Sequence, residues 1–163
     1  MRNIGDVSGV ELEELSIRGD SIDFSVIVDG ANVGTVSFMK YYEPALKAIE
    51  PYMALWAGAM LCVIDRPHAT MRCVDRGDET HEIHSLEGLW VVEGELNIDL
   101  FDPKNETILA TYHHDEVITS SSLADGLVYI QDFAGATVIL DPRRLFQVVG
   151  RESTREESDN GSN

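Results

Sequence analysis

Gly88-Leu89-Trp90-Val91-Val92 runs through Leu96-Asn97-Ile98-Asp99-Leu100-Phe101 to Asp102-Pro103. Gly126-Leu127-Val128-Tyr129-Ile130 runs through Ala136-Thr137-Val138-Ile139-Leu140 to Asp141-Pro142. Each copy reads Gly-Leu, an apolar strand, a polar turn, a second apolar strand, then Asp-Pro. The two Asp-Pro pairs lie 39 positions apart, the scale of a hairpin plus its connection. A repeat of strand pairs specifies architecture without specifying chemistry. A weaker third copy is read at Val74-Asp75-Arg76-Gly77-Asp78-Glu79-Thr80, set beside Phe101–Thr107.

Outward from the repeat, the chain reads as short strands and turns. Ser21–Val28 alternates Ile22, Phe24, Val26 and Val28 with other residues, the period of a strand. Asp29-Gly30-Ala31-Asn32 supplies a turn and Val33–Phe38 the return, so an N-terminal hairpin is expected. Glu43-Pro44 then opens a stretch apolar on most sides: Ala45, Leu46, Ala48, Ile49, Tyr52, Met53, Leu55 and Trp56. This predicts a buried helix interrupted by Pro51 and stopped at Gly58. Strands are expected from Met60 onward, and Leu127–Ile130 should be covered on both faces. The expected fold is therefore β-rich α+β: an N-terminal hairpin, a Pro-interrupted buried helix, and an antiparallel sheet of repeated hairpins. One domain is expected over residues 1–150, followed by a disordered acidic tail over 151–163.

The block from Gly88 to Pro142 resembles the blades of pyrroloquinoline-quinone-type β-propeller repeats, which share this cadence. The resemblance brings no cofactor-binding residues, and no cofactor is expected. A closed propeller takes about four to eight four-stranded blades. The chain reads as having room for two or three, which leaves an open curved sheet of blade-like hairpins or a convergent cadence. In overall character the chain is also similar to the immunity proteins of bacterial polymorphic toxin systems, which neutralise a toxin by binding it. That likeness assigns no residue a role.

The charge narrows the partner classes. There are 29 acidic and 12 basic residues, a formal net charge of −17. Phosphate recognition needs clustered Lys and Arg, so nucleic acid is not an expected partner. An anionic membrane surface is disfavoured for the same reason. A basic protein, such as a toxin domain, is the electrostatic complement. Glu93, Glu95, Asp99, Asp115, Glu116 and Asp132, all on the repeat hairpins, are the expected partner contacts. The competing reading is a salt-adapted domain whose charge has no partner.

An enzymatic alternative rests on histidine. His81 and His84, with His113-His114-Asp115-Glu116, supply zinc- or iron-ligand chemistry. Val91–Leu96 is reminiscent of the strand and turn after a cupin's first metal motif, and a cupin-like metal-dependent enzyme or sensor follows from it. Strand alternation opposes this reading, placing His113 and Asp115 on one face and His114 and Glu116 on the other. Ser120-Ser121-Ser122 is read as a polar loop, without a nucleophile elbow. Trp56 is read as core, and Trp90 as core or exposed anchor.

The segment Met1–Leu15 has no apolar run of signal type, and Tyr52–Ile64 is too short to span a bilayer. A cytoplasmic location is expected. Cys62 and Cys73 fall opposite each other if Met60–Ile64 pairs with Thr70–Val74. Two buried thiols are favoured over a disulfide.

Overall fold

A computed structural model describes residues 2–3 and 9–153, and it folds as four four-stranded antiparallel sheets taken up in chain order. The first blade holds β1 (Arg2–Asn3), β2 (Val10–Arg18), β3 (Ser21–Val28) and β4 (Ala31–Met39). The second holds β5 (Ala45–Ile49), β6 (Tyr52–Ala57), β7 (Met60–Asp65) and β8 (Thr70–Asp75). The third holds β9 (Glu82–Leu86), β10 (Leu89–Glu93), β11 (Asn97–Asp102) and β12 (Thr107–His113). The fourth holds β13 (Ile118–Ala124), β14 (Leu127–Asp132), β15 (Ala136–Asp141) and β16 (Gln147–Ser153). Every strand pairs with its sequence neighbours within its blade.

The α+β expectation is corrected to all-β. The predicted helix is the β5–β6 hairpin, in register Ala45↔Trp56 and Ile49↔Tyr52, and Pro51 lies in its turn after a cis Glu50–Pro51 bond. The segment is apolar on every side because both faces of its sheet are covered. Met53, Leu55 and Ala57 pack toward the first blade, and Ala54 and Trp56 toward the third. Doubly covered strands lose their alternation and mimic a buried helix. The blade number is also corrected, from two or three to four.

The repeat extends further than its two clear copies. Asp102-Pro103 and Asp141-Pro142 both lead from a blade's third strand to its fourth, where the second blade has Arg66-Pro67 and the first Asp29-Gly30. The weak copy at Val74–Thr80 is not equivalent, since it leaves β8 and links two blades. Ser120–Ser122 lie within β13, not in a loop. Arg151–Ser153, expected in the tail, continue β16 opposite Ala136–Val138. Residues 154–163 of that tail lie outside the described residues.

Three apolar clusters hold the blades together, one per consecutive pair. Phe24, Val26 and Phe38 meet Leu55, Cys62 and Ile64 between the first and second blades. Trp56, Leu61 and Val63 meet Ile83, Trp90 and Phe101 between the second and third. Val91, Ile98 and Leu100 meet Val128, Ile130 and Leu140 between the third and fourth. Full burial of each such side chain contributes about 1.5–3 kcal/mol. Trp90 is core, its ring 5.8 Å from that of Phe101. Among the described residues no fourth cluster joins the last blade to the first, so the stack is an open arc. Its two terminal faces are chiefly polar: Ser16, Asp23, Thr35 and Ser37 on one, Ser120, Ser122, Gln131 and Thr137 on the other.

The arc has two dissimilar ends. At one, the linkers between blades are laced to the turns joining each second and third strand. Lys40 N donates to Asp20 O, Thr80 N to Gly58 O, His114 N to Leu96 O, and Ile118 N to Glu95 O, each at 2.8 Å. At the other end lie the remaining hairpin turns, crossed by arginines. Arg66 Nε reaches Asp29 at 2.6 Å and Arg143 Nη2 reaches Glu87 at 2.8 Å. The second blade's hairpin carries the Cys62–Cys73 disulfide, in the predicted register, in place of the two thiols expected.

Candidate functional site

The first strands of three blades bring one polar row together. Lys47 on β5 donates from Nζ to Glu82 Oε1 at 2.7 Å and to the Ile83 carbonyl at 2.6 Å. One pleat further along β9, His84 Nε2 lies 2.9 Å from Ser121 Oγ on β13. The Ser121 hydroxyl donates to Glu93 Oε2 on β10. The serine has one proton and gives it to the carboxylate, so His84 must donate Nε2–H to Ser121 Oγ. A nucleophilic serine needs the reverse order, with imidazole accepting its proton and the carboxylate orienting the imidazole. The row therefore ties the blades together and does not activate Ser121. Burial pushes the His84 imidazole below its usual range, Lys47 adding to the effect against Glu82 and Glu93. For Glu82, burial acts upward but is outweighed by the Lys47 and Ile83 N–H bonds, which hold the carboxyl low.

Two polar latches lie under the linkers. Arg76, just past β8, is enclosed by the third blade. Its Nη2 lies 2.6 Å from Asp99 Oδ2, and its Nη1 donates to Thr80 Oγ1 at 2.7 Å. Thr111 Oγ1 donates to the other Asp99 oxygen at 2.6 Å. His114, just past β12, repeats the arrangement toward the fourth blade. Its Nε2 lies 3.0 Å from Asp132 Oδ2, with the Tyr112 hydroxyl 3.1 Å from its Nδ1. The His114 bond, with help from Ala136 N–H, holds the Asp132 carboxyl below its usual range.

The six acidic residues expected at a partner surface divide evenly. Glu93, Asp99 and Asp132 are buried and bonded internally, so they are corrected from partner contacts to structural groups. Each lies near a blade end where alternation turns its side chain inward, and each has its donor on a neighbouring element. Glu95, Asp115 and Glu116 are exposed at the linker end. Among the described residues none of the three is held in an ion pair. The cations are unevenly placed: at the linker end Arg76 is buried against Asp99, Lys40 and Arg18 are paired with Asp20 and Asp23, and Arg151 is exposed on β16, while Arg66, Lys104, Arg143 and Arg144 occupy the hairpin end.

The histidines do not converge. His81 Nε2 is 3.3 Å from Glu79, His113 Nδ1 is 2.7 Å from Asn97 Oδ1, and His84 and His114 are placed as above. Among the described residues no group of three or more His, Cys, Asp or Glu is arranged to hold a metal. Four antiparallel blades also replace the architecture that the cupin likeness implied.

Sequence reasoning missed Tyr42, Lys47, Arg76, Ser121 and Phe133. The Tyr42 hydroxyl donates to Glu79 Oε1 at 2.5 Å, which raises the phenol's pKa and lowers that of Glu79. Phe133 had a legible signal: an aromatic in the turn sequence Asp132-Phe133-Ala134-Gly135 has no strand face to fill.

No known family matches the sequence, and no curated protein does. Solved structures do match the fold. BamB from Moraxella catarrhalis superposes with a TM-score of 0.62 at 12% identity, over 86% of this chain and 48% of that one. Apo AztD from Citrobacter koseri gives 0.57 at 14% identity, over 83% and 44%. The WD40 domain of Toxoplasma gondii coronin gives 0.54 at 11% identity, over 90% and 43%. The chain spans less than half the length of these proteins. At such identities the likeness is one of fold alone: four blades of the β-propeller type.

Proposed function

We propose that this chain is a non-enzymatic interaction module whose acidic linker end binds a basic protein. The observation that carries this reading is the division of charge between the two ends. At the hairpin end Arg66 and Arg143 are matched with carboxylates, whereas Glu95, Asp115 and Glu116 stand exposed and, among the described residues, in no ion pair. Unmatched like charge on a rigid surface steers an oppositely charged partner and rejects wrong ones. An immunity-type inhibitor is the specific form proposed, with a basic toxin domain as its partner. The Cys62–Cys73 disulfide supports a working place in an oxidising compartment, which would replace the cytoplasmic expectation.

The test is co-expression with the product of the adjoining gene, comparing the native chain with Glu95→Lys, Asp115→Lys and Glu116→Lys combined. Retention that is lost on charge reversal and weakened by salt is expected. Retention indifferent to reversal contradicts the mechanism. Absence of binding together with stability that climbs in molar salt would favour the salt-adapted reading.

A further inference from the structure

The acidic end also carries apolar side chains that no core uses. Leu96, Val117 and Phe133 are exposed by 43%, 40% and 80%. They come from three separate connections: the β10–β11 turn, the linker between the third and fourth blades, and the β14–β15 turn. The backbone ties these together. His114 N donates to Leu96 O and Ile118 N to Glu95 O at 2.8 Å, and Phe133 N donates to Val117 O at 2.9 Å.

The tip is rigid. Asp78 Oδ2 accepts from Leu96 N at 3.2 Å and Asn97 N at 3.0 Å, pinning the first turn. Asp132 Oδ1 accepts from Ala136 N at 2.8 Å while its other oxygen is held by His114, pinning the turn that displays Phe133. An aromatic ring fixed on such a turn loses little entropy on binding, and aromatics dominate interface hot spots. The exposed acids are sequence neighbours of the apolar tips: Glu95 beside Leu96, and Asp115 and Glu116 before Val117.

We infer that Phe133, with Leu96 and Val117, is the apolar anchor of the docking surface, and that its occupant is a protein segment that pairs apolar side chains with Lys or Arg. The inference rests on the acidic-end reading above and adds the anchor to it. Charge complementarity selects this occupant. A second copy carries the same net charge of −17 and would meet this surface with like charge, and an anionic lipid headgroup would meet carboxylates.

The test is selection of a random displayed peptide library on the immobilised native chain, followed by affinity measurement of the enriched peptides. Two variants are compared: Phe133→Ala, and Glu95→Gln/Asp115→Asn/Glu116→Gln combined. All four positions are exposed, and unchanged thermal melts verify both folds. Enriched peptides should pair apolar residues with Lys or Arg. Each variant should weaken them by about tenfold or more. Weakening by the charge variant but not by Phe133→Ala overturns the anchor and leaves the acidic-end reading standing. Weakening by neither, or a library yielding no basic peptides, overturns both.

Discussion

Arg76 Nη2 and Asp99 Oδ2 lie 2.6 Å apart with side chains only 0% and 3% exposed, so a cation from the linker after one blade is sealed inside the next. Removing one partner leaves a buried, uncompensated charge. Asp99→Ala should lower unfolding stability by about 3–5 kcal/mol in urea titrations. The double variant Arg76→Met/Asp99→Leu should recover most of that loss. A single variant no worse than a surface substitution would mean the pair is solvated.

The second latch should appear as an acid dependence. Asp132 has its pKa lowered, first by the His114 hydrogen bond. Its contribution is present above the unfolded carboxyl value near 3.8 and is lost as pH falls through the lower folded value. Asp132→Asn should flatten the stability profile in that acidic window. Acid titrations of both proteins by circular dichroism make the comparison.

His84 acts nearer neutrality. Burial lowers its pKa, so as pH falls past the ordinary histidine value of 6.5 the unfolded chain takes the proton first. Stability should decline from there down to the folded value, and His84→Gln should remove that part of the slope. Urea midpoints across this range measure it. An unchanged slope would place the proton uptake elsewhere.

The Cys62–Cys73 disulfide closes a short hairpin loop between β7 and β8. Replacing both residues by Ala should destabilise the protein by about 2–3 kcal/mol, as loop-closure entropy requires. Thiol titration of the denatured, unreduced protein should find no free cysteine. Two titrating thiols would contradict the bond.

Much of the sheet architecture was legible, because strand alternation and turn chemistry are local. Ser21–Val28 kept its boundaries, and Cys62 fell opposite Cys73. The failures share a physical cause. Met53–Ala57 is covered on both faces, so its strand period vanished and a helix was read instead. Val10–Arg18 was passed over because the alternation of Val10 and Leu12 with Glu11 and Glu13 is short and breaks at the register shift between Glu14 and Ser16. At the candidate site, Glu95, Asp115 and Glu116 were placed at the surface, but Glu93, Asp99 and Asp132 were not separable from them by composition. Their burial depends on Ser121, Arg76 and His114, residues that come from other elements.

Partner-directed charge at the linker end can be read out in amide NMR shifts of the native chain during titration with a short oligoarginine peptide. Shifts concentrated at Glu95–Asn97, Asp115–Val117 and Phe133, and abolished by salt, are predicted. Shifts concentrated at Glu87, Asp125 and Arg143, or spread evenly over the four blades, would contradict it.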